Sequence, residues 1–209
     1  FSTLESTLGR LESSPRVLLA DTIGFIDGLP NATLEAFRAT LAEAIECDLL
    51  LLLVDGGDAL DEMERKLLTS IRELTERALD ANETSIMDRI QLVLTKFDTI
   101  EPQSMEHIYT MVSEHGFTNP LVISAHTGHG ISELQGSILD TLFGPKRTLC
   151  IRNGEPHEMA NEAILARIFD AVYVHEHAVL EHGIEVRVSA SDEAISILRS
   201  NHGKRIELK

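Results

Sequence analysis

Hydrophobic residues along the chain follow two alternating patterns, short continuous runs and longer stretches with helical spacing. The continuous runs predict buried strands at residues 17–20, 49–54, 90–94 and 121–123. The stretches in which apolar residues recur every three or four positions predict helices over 33–47, 60–79, 102–116 and 131–143. Strands and helices alternate through residue 143, and this alternation indicates a parallel sheet with helices on both faces.

The pattern changes after Gly144-Pro145-Lys146-Arg147, a stretch that we interpret as a linker. Further strands are predicted at 148–151, 171–180, 184–188 and 205–208, and helices at 158–169 and 192–199. This order is typical of a small antiparallel α+β unit similar to a ferredoxin-like sheet. We therefore expect two domains, residues 1–145 and residues 146–209.

Composition is that of a soluble globular protein, with 43% hydrophobic and 25% charged residues in a chain of 209. The longest apolar run, residues 49–54, is too short to span a membrane, and residues 1–15 do not resemble a signal peptide. Cys47 and Cys150 lack metal-ligand spacing, which indicates reduced thiols in a cytosol-like compartment.

The net charge of −16 argues against general nucleic-acid binding through a basic face. Residues 1–147 carry most of it, −13 from 11 Lys and Arg against 24 Asp and Glu. Residues 148–209 carry only −3, from 7 against 10. An RNA contact would need a local basic patch, and the second segment is the less repulsive place for one.

Two polar clusters follow neighbouring predicted strands, where ligands bind in parallel sheets. The first is Thr95-Lys96-Phe97-Asp98. The Asp98 carboxylate can accept hydrogen bonds from guanine N1–H and the 2-amino group, which adenine lacks, and the Lys96 stem would lie along the purine. The second is Ser124-Ala125-His126, where a backbone N–H can donate to guanine O6. Taken alone, either cluster is equally compatible with an ordinary strand-end turn.

A third cluster, Asp21-Thr22-Ile23-Gly24, follows the strand at 17–20. Asp21 would hold Mg²⁺, commonly through a water, and the Gly24 N–H would contact a γ-phosphate. Phe25 comes next, where many GTPases have a glutamine that orients the attacking water. Upstream, Thr3 would complete the Mg²⁺ shell and sense the γ-phosphate, with Thr7 as the rival candidate. The three clusters in this order predict a guanine-nucleotide fold.

The phosphate loop G-x-x-x-x-G-K-[ST] does not occur in the 209 residues. That loop supplies the main anion-binding backbone and a lysine for the β- and γ-phosphates. We expect it on a strand and helix that precede Phe1, so that the chain is a C-terminal piece of a longer protein. A truly incomplete domain is the alternative. As given, the chain is expected to bind nucleotide poorly and to be inactive alone.

The sequence closely resembles the HflX-type GTPases associated with translation. Residues 1–5, Phe-Ser-Thr-Leu-Glu, are similar to that family's Phe-Ala-Thr-Leu-Asp segment, which favours Thr3 as the sensing threonine. Residues 21–26, Asp-Thr-Ile-Gly-Phe-Ile, then Leu29-Pro30 and residues 35–41, Glu-Ala-Phe-Arg-Ala-Thr-Leu, match a run that is far more specific than a generic GTPase motif. Thr95 stands where the family usually has Asn.

The resemblance implies a P-loop-NTPase-like G domain, here without its first strand and phosphate loop, followed by a ferredoxin-like C-terminal domain. It implies Mg²⁺-dependent hydrolysis of GTP to GDP, with Thr3 and Gly24 at the γ-phosphate and Phe25 as a hydrophobic replacement of the catalytic glutamine. It also implies association with the RNA and proteins of the large ribosomal subunit, to split or rescue ribosomes. We expect a monomer in the cytoplasm, or in an organellar matrix if an upstream signal exists.

Two other interpretations were considered, of which one stays open and one is disfavoured. The chain could be a non-hydrolysing fragment or degenerate G domain that acts as a ribosome- or protein-binding module. A receiver-like α/β protein is disfavoured, because it would not predict the clusters at residues 95–98 and 124–126 on successive strands.

Overall fold

The computed structural model describes residues 7–11, 17–22, 45–83, 85–155 and 157–209. The chain divides into two compact units, one within Ala20–Gln135 and the other containing Gly136–Lys209 with the described part of residues 8–19. Together they give a mixed α/β fold with one parallel and one antiparallel sheet of three or more strands. The expected division into residues 1–145 and 146–209 stays a prediction.

The first unit is built on a parallel sheet of three strands in the order β3-β4-β5. These strands are β3 (Leu50–Asp55), β4 (Ile90–Thr95) and β5 (Leu121–Val122). Leu52 lies opposite Leu92, and Asp55 lies opposite Thr95. The continuous apolar runs thus form the parallel strands that they predict. Because the strands run in one direction, the clusters at residues 95–98 and 124–126 follow at the same edge of the sheet.

Helices follow each strand of this sheet, as the spacing of apolar residues predicts. They are α1 (Leu60–Asp80), α2 (Met105–Glu114) and α3 (Ile131–Phe143). The buried face of α1 contributes Met63 and Leu67 to a cluster that also holds Leu92 and Leu94 of β4. Burial of each such side chain stabilises the fold by about 1.5–3 kcal/mol. Of the helix predicted over 33–47, the described residues include Ile45 and Glu46, which are helical.

The strand predicted at residues 17–20 exists but does not belong to the parallel sheet among the described residues. β2 (Val17–Asp21) pairs with β1 (Thr7–Leu11) in a separate sheet of two strands. The expectation that this strand belongs to the parallel sheet is therefore wrong for the described residues. β2 pairs with the preceding strand, since consecutive strands pair readily with each other, and residues 7–11 were not predicted as a strand.

The second unit has the element order β-α-β-β-α-β. Its elements are β6 (Lys146–Arg152), α4 (Asn161–Ala171), β7 (Tyr173–Leu180), β8 (Gly183–Ser189), α5 (Asp192–His202) and β9 (Ile206–Leu208). The sheet order is β7-β8-β6-β9, and every neighbouring pair is antiparallel. Strand β6 begins at Lys146, inside the predicted linker, because Lys146 and Arg147 already pair with Ser189 and Val188 of β8.

One face of this sheet is buried against the two helices. Leu149 and Ile151 of β6 and Val186 of β8 are buried there together with Ile164 and Ile168 of α4. Side chains alternate between the two faces of a strand, so Lys146, Thr148 and Arg187 belong to the opposite, open face. In β6 and β8 the alternation of apolar and polar residues therefore positions a polar surface as well as a core.

Candidate functional site

The loops that follow β4 and β5 are held side by side by backbone hydrogen bonds. The Ile123 N–H donates to the Leu94 carbonyl over 2.8 Å, and the Phe97 N–H donates to the Ile123 carbonyl over 3.0 Å. These bonds extend the strand pairing past the last residues of the sheet. The two predicted clusters, residues 95–98 and 124–126, are therefore brought together by the structure.

A single hydrogen bond joins the two clusters through their side chains. The Ser124 hydroxyl donates to Asp98 Oδ1 over 2.5 Å, and the same hydroxyl oxygen accepts from the Thr127 N–H over 3.1 Å. Ser124 is fully buried, whereas Asp98 is exposed. The hydrogen bond from Ser124 is the main cause that holds the pKa of the Asp98 carboxyl below its ordinary value. The site thus presents a fixed, ionised acceptor to solvent.

The Lys96 side chain reaches the end of β3. Its backbone is in the left-handed region, with φ 55° and ψ 39°, which is uncommon for a residue with a side chain. Lys96 Nζ lies 2.6 Å from Asp55 Oδ2, and Asp55 Oδ1 accepts from the Gly57 N–H over 2.9 Å. That the Lys96 stem lies along a purine stays a prediction.

The ion pair changes the titration of both partners. Burial works to raise the pKa of the Asp55 carboxyl, but the hydrogen bonds from Lys96 and Gly57 outweigh it, and the pKa lies below its ordinary value. The same bond raises the pKa of Lys96. Beside this pair, the Thr95 hydroxyl donates to the Val54 carbonyl over 3.2 Å. Thr95 therefore ties the ends of β3 and β4 together.

The loop after β5 exposes two backbone donors. The Ser124 N–H donates to the His129 carbonyl over 3.0 Å, and the Gly128 N–H donates to the Ser124 carbonyl over 2.9 Å. Within the part of the chain that the structure describes, neither the Ala125 nor the His126 N–H has a hydrogen-bond partner. Both residues are exposed, so both N–H groups can donate to a ligand.

The phosphate half of the predicted site is described only up to the end of β2. Asp21 and Thr22 are exposed there, while Thr3, Ile23, Gly24 and Phe25 lie outside the described residues. No group of three or more His, Cys, Asp or Glu side chains among the described residues is arranged to hold a metal ion. An exposed carboxylate such as that of Asp21 is a suitable oxygen donor for Mg²⁺.

Two contacts at the site were not anticipated from the sequence. Asp55 holds Lys96, and the rings of Phe97 and His129 stack with centroids 4.4 Å apart and planes 24° apart. The Asp-Gly-Gly sequence at residues 55–57, directly after a buried strand, is the signal that could have pointed to Asp55. Nothing in the local pattern around His129 indicates its ring contact. Of the described residues, no helix is both long and apolar enough to cross a membrane.

Searches for similar proteins relate the sequence to one family. No family model matches it. A GTPase HflX of Gluconacetobacter diazotrophicus is 30% identical over 207 residues, which cover 98% of this chain and 42% of that protein. A GTPase HflX of Thermococcus kodakarensis is 36% identical over 145 residues, 66% of this chain and 31% of the relative. A GTPase HflX of Escherichia coli is 32% identical over 146 residues, 69% of this chain and 32% of the relative. The chain thus spans less than half the length of these curated relatives.

Among solved structures, a crystal structure of an SsGBP mutation variant is similar, with a TM-score of 0.51 and 24% sequence identity. The similarity covers 63% of this chain and 46% of that one. It concerns the fold alone.

Proposed function

Because the chain belongs to the HflX family of GTPases, we propose that it supplies the base-recognising part of a protein that binds guanine nucleotides and hydrolyses GTP to GDP and phosphate. The observation that carries this proposal is the hydrogen bond from buried Ser124 to exposed Asp98. It fixes a carboxylate at the sheet edge where α/β folds bind ligands. The family relationship supports a guanine nucleotide as the ligand.

The base would be recognised by three groups that act together. Asp98 accepts from guanine N1–H and the 2-amino group, and the Ala125 or His126 N–H donates to O6. Adenine reverses this donor and acceptor pattern, so it would leave the carboxylate without partners. Lys96, whose ammonium group pairs with Asp55, would form the neighbouring side of the site. Thr95 supports Asp98 and Lys96, because its hydroxyl donates to the Val54 carbonyl and so joins β4 to β3.

The phosphates would be handled by the segment that begins at Asp21. We propose that Asp21 and Thr3 hold Mg²⁺ and that the Thr22-Ile23-Gly24 backbone follows the γ-phosphate. Bound Mg²⁺ would neutralise the charge that develops on the phosphate oxygens. Phe25 has no group that can hydrogen-bond a water, so the attacking water must be oriented by the backbone or by a partner. Slow intrinsic turnover is the expected consequence.

The fold assignment proposed here is a partial G domain followed by a ferredoxin-like domain. The parallel sheet with its following helices supports the first part. The order β-α-β-β-α-β with sheet order β7-β8-β6-β9 supports the second. We further propose that the protein works as a monomer in the cytoplasm and associates with the large ribosomal subunit, to split or rescue ribosomes. A non-hydrolysing binding module is the second candidate, because Phe25 has no group that can hydrogen-bond the attacking water.

Base recognition can be tested on the chain itself, since weak binding is visible by NMR. Guanosine monophosphate should shift the amide signals of residues 98 and 124–126, and adenosine monophosphate should not. Asp98→Asn should weaken the binding of guanosine monophosphate by at least about tenfold. The variant should also bind xanthosine monophosphate, whose 2-oxo group can accept a hydrogen bond from the new amide. Asp88→Asn, an exposed aspartate in the same unit, is the matched control. Equal shifts with both purines would refute the assignment.

A further inference from the structure

The open face of the antiparallel sheet contains a shallow groove that the nucleotide site does not use. It encloses about 530 Å³ and runs across β7, β8, β6 and β9. The described side chains that line it include four cations, Lys146, Arg147, Arg187 and Lys209, against one carboxylate, Glu176. Lys209 and Arg147 also pair with Glu185 and Asp192, so the groove keeps a small excess of positive charge in a chain whose net charge is −16.

The strand register places the cations around one hydroxyl. Arg187 lies directly opposite Thr148 on the neighbouring strand β8. On the other side, the Lys209 N–H donates to the Thr148 carbonyl over 3.0 Å. Lys146 precedes Thr148 by two residues and so shares its face. Residues opposite each other on paired strands are about 5 Å apart, and alternate residues along a strand are about 7 Å apart. Lys146, Arg187 and Lys209 thus lie around Thr148 on one face of the sheet.

The charges of this cluster are available to a ligand. Lys146 has no ion-pair partner among the described residues. Arg187 pairs with Glu176 over 2.5 Å, but the two side chains are 64% and 60% exposed. Lys209 pairs with Glu185, and these side chains are 52% and 28% exposed. Exposed ion pairs contribute little to stability, so a phosphate can compete with Glu176 for Arg187. Arg147, by contrast, is already bound to the Ala190 carbonyl and Asp192.

Aromatic rings lie next to the cations. Tyr173 and His175 on β7 are in edge contact, with ring centroids 4.8 Å apart, and Tyr173 also packs on Phe143 at 5.7 Å. His175 lines the groove and is exposed. Rings beside cations on an open sheet suit a strand whose bases stack while its backbone is neutralised. A free phosphate ion would need the cations and not the rings.

We propose that this face of the sheet binds the phosphate backbone of single-stranded RNA. The site is separate from the nucleotide site, and the proposed function enters only in the choice of RNA over DNA. The groove would give an otherwise acidic protein one place to approach RNA. Because each phosphate contact releases counterions, binding would weaken as the salt concentration rises, and the screening of repulsion from the rest of the acidic chain would partly offset this effect.

The test is fluorescence anisotropy with a labelled oligouridylate of about a dozen nucleotides, without guanine nucleotide or ribosomes. Lys146→Glu and Arg187→Glu should each weaken binding by about tenfold and lower the slope of log Kd against log salt by about 0.7 for each lost phosphate contact. Lys204→Glu makes the same charge change as Lys146→Glu at an exposed lysine outside the groove, and should change Kd by less than about twofold. Circular dichroism would verify that all variants fold.

Three results would overturn the proposal. The first is no measurable binding, and the second is equal weakening by Lys204→Glu and the groove variants. The third is competition by inorganic phosphate at the same phosphate concentration, which would assign a free-anion site instead. Equal affinity for oligothymidylate would refute the preference for RNA over DNA, but it would still support the groove as a binding site for single-stranded nucleic acid. None of these results bears on GTP hydrolysis, so failure of the RNA-binding proposal is distinguishable from failure of the proposed function.

Discussion

The Asp98 carboxylate owes its orientation to one buried hydroxyl. Ser124 donates to it from a fully buried position, while the carboxylate itself faces solvent. A side chain that can rotate freely would make its two hydrogen bonds to guanine only part of the time. The serine therefore acts as a positioning residue, because it restricts the acceptor before the base arrives.

Replacing Ser124 by Ala should raise the pKa of Asp98 toward its ordinary value, since the serine hydrogen bond is the main cause of its lowered pKa. The stabilisation that this bond gives is present above the unfolded-state pKa and is lost as pH falls through the lower folded-state pKa. The stability difference between the two proteins should therefore narrow in that acidic window. An NMR pH titration of the Asp98 carboxyl carbon measures the shift directly.

Ser113→Ala removes an exposed hydroxyl on α2, outside the cluster, and is the matched control. The titration midpoint of Asp98 should not move in this variant. An unchanged midpoint in Ser124→Ala would show that the short contact does not govern the carboxylate.

Single-residue roles were predictable only where the chemistry is local. Asp98 was identified because a carboxylate one loop beyond a buried strand has a recognisable use. The Ser124 hydroxyl was not, because its partner lies on a different strand. Lys96 and Asp55 likewise meet only because the parallel register sets Asp55 opposite Thr95. No sequence pattern around Lys96 encodes that distance.

At the scale of elements, the loop between β5 and α3 depends on glycine at two positions with different demands. Gly128 and Gly130 both have positive φ, 79° and 71°. A Cβ on Gly128 would meet nothing within 4 Å, whereas a Cβ on Gly130 would lie 2.0 Å from the Val122 carbonyl oxygen. The first glycine supplies backbone freedom, and the second also permits close approach to the strand.

Gly130→Ala should therefore destabilise the protein more than Gly128→Ala. Left-handed backbone costs an alanine about 1–2 kcal/mol at either site, and the overlap at Gly130 should add about 1–3 kcal/mol. Urea unfolding of both variants measures the difference in the free energy of unfolding. Because Gly128→Ala carries the strain without the overlap, equal losses would contradict the close-approach explanation.

Elements with a complete periodic pattern were predicted well. The parallel strands read as continuous apolar runs, and α3 has the bounds 131–143 that its spacing predicts. The prediction of strands failed where the existence or the bounds of a strand depend on its pairing partner rather than on local propensity. β1 lacks a strong strand pattern, and β6 begins at Lys146 because its partner strand β8 extends that far. Such contacts come from residues distant in sequence, which a local pattern does not contain.

At the scale of the whole molecule, the uneven distribution of charge indicates which segment could approach a ribosome. Residues 1–147 carry −13 and residues 148–209 carry −3. Ribosomal RNA would repel the first segment more strongly than the second. Any association should therefore depend on the nucleotide state and on salt rather than on general attraction.

The full-length protein should co-sediment with large ribosomal subunits in a nucleotide-dependent manner. A non-hydrolysable GTP analogue should retain more protein on the subunit than GDP, because only the analogue keeps a γ-phosphate for the segment at Asp21 to sense. Sucrose-gradient sedimentation with analogue, GDP and no nucleotide makes the comparison, and a GTPase assay separates the enzyme from the non-hydrolysing module. Equal sedimentation in all three conditions would refute the nucleotide-gated association.

The order of pairing in the antiparallel sheet matters while the protein is being made. β6 is synthesised first and β9 last, yet they are neighbours, with Leu149 opposite Leu208 and Ile151 opposite Ile206. A nascent chain therefore holds β6 with one edge unpaired until residues 206–208 have emerged. An early stop codon or a protease cut before Ile206 would remove a strand from beside the core rather than trim a tail. The edge of β6 is thus completed only after residues 206–208 have been synthesised.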